Sequence, residues 1–178
     1  MPLLQLLRST LLFVAIVTTL CASTASADVN STSNTTARHL QTVTDWRTTM
    51  LDAVNKERVA VGLPRLCMNN KLQVAAQAHS KDMALRDFVS HTGSDGSTLS
   101  TRVQAAGYRW TSVAENIAAG QLTVGRVMTS WMNSAGHRAN ILSARNTMLG
   151  CGYAGISNSR YKYYWTQVFA SGSTEACG

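Results

Sequence analysis

The feature that most constrains this chain is a change of period along its length. Apolar residues keep helical spacing in successive segments between Thr44 and Leu142, and strand-like composition follows. Trp46, Met50, Val54 and Val59 trace a first helix, which Gly62 can end and Pro64 cannot continue. Leu72, Ala75, Ala76, His79 and Met83 lie along one side of a second helix over about Asn70–Arg86. Leu99, Val103 and Ala106 align in a third near Ser97–Ala106, with Gly107 as its stop. A fourth, over about Thr123–Asn133, carries Val124, Val127, Met128 and Trp131, and Gly136–Leu142 adds a short helical turn. Met148–Ala154 and Tyr161–Ala170 read as strands joined by a turn at Gly155–Arg160. Helices first and adjacent antiparallel strands last predict an α+β domain, with helices packed on a small sheet.

The N-terminal region reads differently. Residues 1–27 have the order of a secretory signal: Arg8, the apolar run Leu11–Leu20, then the small residues Ala25-Ser26-Ala27. No later segment approaches the roughly 20 apolar residues of a membrane span. The expectation is an exported, extracellular monomer without a transmembrane segment. Residues 28–43 are rich in Ser, Thr and Asn and read as a flexible leader. Asn30-Ser31-Thr32 and Asn34-Thr35-Thr36 fit the glycosylation acceptor pattern. Arg38-His39-Leu40-Gln41 is one residue away from the Arg-x-Leu-Arg entry signal of some pathogen effectors, a match that chance explains. A single domain is expected over 44–178.

The net charge is +7, with cations dispersed from Arg38 to Lys162 rather than gathered in a block. No recognition motif accompanies them, which argues against nucleic acid as a partner. Weak attraction to acidic wall polymers or anionic headgroups is the most this surface suggests. Cys21 belongs to the signal, so Cys67, Cys151 and Cys177 remain, with three pairings for one disulfide. Cys67–Cys177 is favoured slightly, because it would tie the tail to the body and leave Cys151 in a strand; the other pairings stay open.

Few residues are equipped for chemistry. His91 opens a polar loop containing Gly93 and Gly96, Glu115 is the only charged residue from Thr111 to Gly125, and His137 lies in a Gly-bounded turn. Two imidazoles and a carboxylate suit Zn²⁺ and leave a fourth position for water. Asp95 would complete that shell or orient one imidazole. On the residues alone, the better reading is structural, with Glu115 bonded to backbone amides and the histidines bracing loops. His79, on the apolar side of its helix, reads as a hydrogen-bonded packing residue, and His39 lies in the leader. Tyr108, Trp110, Tyr164 and Trp165 are candidates for a sterol or lipid groove, although such aromatics are more often core.

Taken in order, His91–Thr98, Ala114–Gly120 and Trp131–Arg138 resemble the CAP superfamily of secreted proteins, which includes the plant pathogenesis-related-1 proteins and microbial relatives. "MLDAVNKERVAVGLPRL" (50–66), "AAQAHSKDMA" (75–84) and "YYWTQVFA" (163–170) extend the likeness over nearly all of 45–170. The resemblance implies a three-layer α-β-α sandwich with a cleft whose His/Glu tetrad takes up a divalent cation in some members. By position, His91 matches the first histidine and Glu115 the glutamate of the Gly-Glu-Asn motif, with Ala114 in place of Gly. Plant members have a second glutamate where this chain has Ser134, and a histidine at the start of the strand that here reads Tyr164-Trp165-Thr166-Gln167. The Gly136-His137-Arg138 segment is similar to a microbial subgroup, in which His137 would enter the cleft from another element.

The expected site is therefore His91, Glu115 and His137 as metal ligands, with Asp95, Ser134 and Tyr164 around the cleft and no catalytic residue. The implied function is a secreted, non-enzymatic binding protein. It would capture a sterol, lipid or glycan and meet a host protein, as a virulence factor or an elicitor. The alternative is an extracellular hydrolase using metal-activated water or a Ser/His pair. Ser94 and Ser134 are near the histidines in sequence, but neither lies in a nucleophile elbow.

Overall fold

The computed structural model describes residues 46–178. The signal, the leader with Asn30, Asn34 and His39, and the Arg38–Gln41 segment lie outside the described residues. Helix α1 (46–60) places Met50 and Val54 in the core. Gly62 ends it with φ 76°, where a Cβ would be strained. The helical stripe is rotated from the sequence expectation: Val59 is 53% exposed, while Arg58 is only 1% exposed. Arg58 tolerates that burial because its guanidinium donates to the carbonyls of Pro64, Ile141, Ser143 and Asn146.

Strand β1 (Cys67–Met68) and helix α2 (Asn70–Arg86) follow. Asn69 caps α2, its side chain accepting from the amides of Lys71 and Leu72. Helix α3 (Leu99–Ala105) is capped by Thr98. Strand β2 (Ser112–Ala119), helices α4 (Val124–Met132) and α5 (Ala135–Ile141), and strands β3 (Met148–Gly155) and β4 (Tyr163–Ser171) complete the domain. The sheet order is β1-β3-β4-β2. Strands β3 and β4 are antiparallel, as expected, β2 adds an unexpected antiparallel neighbour to β4, and the two-residue β1 pairs with β3 in parallel, so the sheet is mixed.

Alternation along β4 separates the two helical layers. Trp165, Gln167 and Phe169 face α1 and α4, whereas Tyr164, Thr166, Val168 and Ala170 face α2. The result is the α-β-α sandwich. On the α2 side the approach is close: a Cβ at Gly150 or Gly152 would strike the backbone of Leu72 or Ala76. Gln73 and Gln77 reach from α2 to the backbone of Cys151 and Tyr153, satisfying β3 groups beyond the short β1. Cys67 and Cys177 form the disulfide, and Cys151 is a buried free thiol. The tail it secures joins β1, with Gly178 N donating to Met68 O and Asn70 N donating to Gly178 O.

Candidate functional site

Glu115 sits on β2, a strand that the sequence reading did not anticipate. Its carboxylate turns towards α3 and its neighbour Asn116 turns the other way, as strand alternation requires. The Glu115 side chain is 1% exposed, and both of its oxygens are taken. His91 Nδ1 donates to Oε1 at 2.8 Å, and Arg102 Nη2 donates to Oε2 at 2.8 Å. Arg102, itself 10% exposed, also donates to the carbonyls of His91 and Ser97. The buried carboxylate thus holds one fixed cation and one titratable ring. The His91 side chain is 59% exposed, and its hydrogen bond to Glu115 raises its pKa.

On the opposite face, Asn116 donates to Gln167 Oε1 and to the carbonyl of His137, while Asn140 donates to Asn116 Oδ1 and to the Glu115 carbonyl. This amide network ties α5 to the outer edge of β2, and Trp131 Nε1 caps the next outward carbonyl, that of Ile117. It also carries His137 towards the cluster. Burial lowers the His137 pKa, and the nearby charge of His91 lowers it further.

Of the other expected site residues, Asp95 lines a hollow of about 430 Å³ with His79, Asp82 and Arg102, whereas Ser134 and Tyr164 stand apart. Asp95 accepts from the Ser97 amide and shapes its own loop. Ser134 is the N-cap residue of α5, without a side-chain cap bond. Tyr164, expected in the cleft, is fully buried against α2, and its hydroxyl donates to Asp87. Arg102, Asn116 and Asn140 had escaped the sequence reading. The one available hint was that Asn116 adjoins Glu115 in the motif.

The sequence expectation makes His91, Glu115 and His137 a Zn²⁺ ligand set. Among the described residues, no three His, Cys, Asp or Glu side chains form a metal-holding group. The Arg102 guanidinium also occupies the oxygen and offsets the charge that a cation would seek in Glu115. Glu115 here plays the role of an orienting carboxylate behind His91.

A second feature lies across the sheet. Between α1 and α4, an open hollow of about 400 Å³ is lined by Trp46, Leu122, Val124, Gly125, Tyr153 and Trp165, with Thr49 and Thr123. Trp46 meets Trp165 edge-on at 5.7 Å, and Tyr153 packs on Trp165 at 4.5 Å. Past Gly125, a further hollow of about 360 Å³ is lined by Ala53, Met128 and Met132 beside Lys56 and Glu57. Of the aromatics considered from sequence, only Trp165 lines the hollow. Tyr108 and Tyr164 are core residues on the other face, and Trp110 is partly exposed elsewhere.

The layered fold with a histidine–glutamate pair at the β2 edge defines a class, and the comparisons with known proteins agree. Residues 51–169 match the model of the cysteine-rich secretory protein (CAP) family, and the chain belongs to that family. It is 33% identical over 148 residues to the Bacillus subtilis protein YkwD, a match covering 83% of this chain and 55% of that one. An extracellular protein containing an SCP domain from Bacillus anthracis superposes with a TM-score of 0.63 at 32% identity, over 70% of this chain and 40% of that one. An outer surface protein of Borrelia burgdorferi shares the fold, with a TM-score of 0.65 at 16% identity over 71% of this chain and 92% of that one. The chain thus spans about half of YkwD and less of the Bacillus anthracis protein. No helix among the described residues is long and apolar enough to cross a membrane.

Proposed function

We propose that this chain is a secreted, non-enzymatic binding protein that captures a sterol or fatty-acyl ligand in the furrow between α1 and α4. The observation carrying this reading is the open aromatic and aliphatic hollow around Trp46, Leu122, Val124 and Trp165. Its volume falls in the range of small-molecule sites, and apolar walls with a few polar groups at the rim suit an amphiphile. Leu122 is exposed at its mouth, an apolar surface that a bound ligand would cover. Export accords with the signal-like start and with the extracellular SCP-domain relative.

Hydrolysis is less well supported. Glu115 has both oxygens engaged, so it is poorly placed to serve as a general base. Among the described residues, neither His91 nor His137 holds a serine or cysteine in the hydrogen bond that activates a nucleophile. The test is titration of the purified protein with a dansyl-labelled fatty acid and with cholesterol, following tryptophan emission. The reading expects saturable binding that is unchanged in a His91→Ala, His137→Ala double variant. Binding abolished by that variant would move the ligand to the histidine site, and absence of saturation with both probes would refute lipid capture.

A further inference from the structure

We infer that α2 is a two-point clamp on the His91 loop, with His79 as the positioning residue that holds His91 against Glu115. This rests on the candidate site's geometry and is independent of the lipid reading. His79 and Asp82 stand three residues apart on α2, and side chains at that spacing share one side of a helix. His79 Nε2 lies 2.9 Å from the Ser90 carbonyl, immediately before His91. A carbonyl only accepts, so Nε2 carries the proton. Asp82 Oδ2 accepts from the Ser94 amide at 2.8 Å, and Oδ1 accepts from the Ser94 hydroxyl at 2.5 Å. The two anchors bracket His91.

Arg102 completes the grip by donating to the carbonyl of His91 itself. The peptide groups on both sides of His91 are therefore held by side chains, His79 and Arg102, that are almost entirely removed from solvent. Gly93 suits the tightly folded loop, because a Cβ there would collide with Ser97 Oγ and lie 2.8 Å from Asp95 Oδ1. A half-exposed imidazole on a loose loop would rotate and exchange tautomers with water. Clamped, His91 keeps Nδ1–H on Glu115 and presents Nε2 outwards, a preorganised polar group on a rigid support. Burial lowers the His79 pKa, which favours the neutral ring that this hydrogen bond uses.

The experiment is nitrogen-15 NMR of the histidine rings in the full domain, which needs no ligand. In the wild type, with both rings neutral, His79 should be the Nε2–H tautomer and His91 the Nδ1–H tautomer, with a slowly exchanging ring proton. His79→Leu keeps apolar volume and removes the donor; it should shift His91 towards the Nε2–H form and speed exchange of its Nδ1 proton at least tenfold. His79→Gln restores an amide donor and should recover most of the wild-type signature. A folded His79→Leu protein with an unchanged His91 spectrum would overturn the proposal, as would failure of His79→Gln to restore it. If His79→Leu does not fold, the wild-type spectrum still decides: His79 found as the Nδ1–H tautomer contradicts the clamp.

Discussion

The two faces of the sheet use glycine in opposite ways. Gly150 and Gly152 on β3 let α2 descend until its backbone fills the space that their side chains would occupy. Gly125 on α4 meets nothing: a Cβ there finds no atom within 4 Å. The first pair brings α2 down onto β3, and the second residue leaves its stretch of α4 uncovered beside the furrow. The α2 face carries His91 and its hydrogen-bonded loop and, towards α3, a hollow of about 430 Å³ lined by His79, Asp82, Asp95 and Arg102, while the α1/α4 face has a furrow with aromatic walls. Missing side-chain volume gives tight packing where a helix moves in, as at Gly150 and Gly152, and open surface where none does, as at Gly125.

The sharpest way to break this contrast is Gly152→Val, whose branched side chain meets the Ala76 carbonyl and Ser80 Oγ. We expect it to cost about 3 kcal/mol or to prevent folding, read from urea denaturation. A wild-type midpoint would show that α2 can withdraw. Next in size is Arg58→Met, which leaves the carbonyls of Pro64, Ile141, Ser143 and Asn146 without their donor. A loss of about 2–3 kcal/mol is expected from such unmet buried acceptors. Glu115→Gln keeps the shape but removes the charge facing Arg102 and His91; about 1–2 kcal/mol should be lost. The His91 pKa should fall in that variant, because its leading cause of elevation is gone.

The smallest effect concerns acid. The pKa values of His79 and His137 are lowered in the folded protein, first by burial in both cases. Below about pH 6.5 the unfolded chain then binds more protons than the folded one at these rings, so stability declines as pH falls. His91 works the other way: its raised pKa contributes stability at low pH that is lost as pH rises through the folded value. His79→Gln should flatten the acid limb in thermal melts between pH 7 and 5, and an unaltered slope would remove His79 as its source.

Much of the fold was legible in sequence because apolar stripes at helical spacing mark what each helix buries. Met50, Val54, Leu72, Val103, Val127 and Trp131 are all core residues. The exceptions are physical. Arg58 displaced Val59 from the interior because carbonyls distant in sequence await its guanidinium, and no local pattern encodes them. Strand β2 was illegible because its buried centre is Glu115-Asn116, polar residues paid for by Arg102, His91, Asn140 and Gln167 rather than by apolar neighbours. The slight preference for Cys67–Cys177 matches the disulfide. At the site, the family resemblance singled out His91 and Glu115, which do pair, but it could not reveal that Arg102 also engages the carboxylate.

The most direct trial of the binding account is Gly125→Phe, titrated with the same dansyl-labelled fatty acid as the wild type. The position is exposed and a Cβ there meets no atom within 4 Å, so the ring should enter the furrow at little cost in stability. We predict a wild-type melting curve and at least a tenfold loss of affinity. A folded Gly125→Phe protein that binds the probe as tightly as the wild type would contradict the assignment of the α1/α4 furrow as the ligand site.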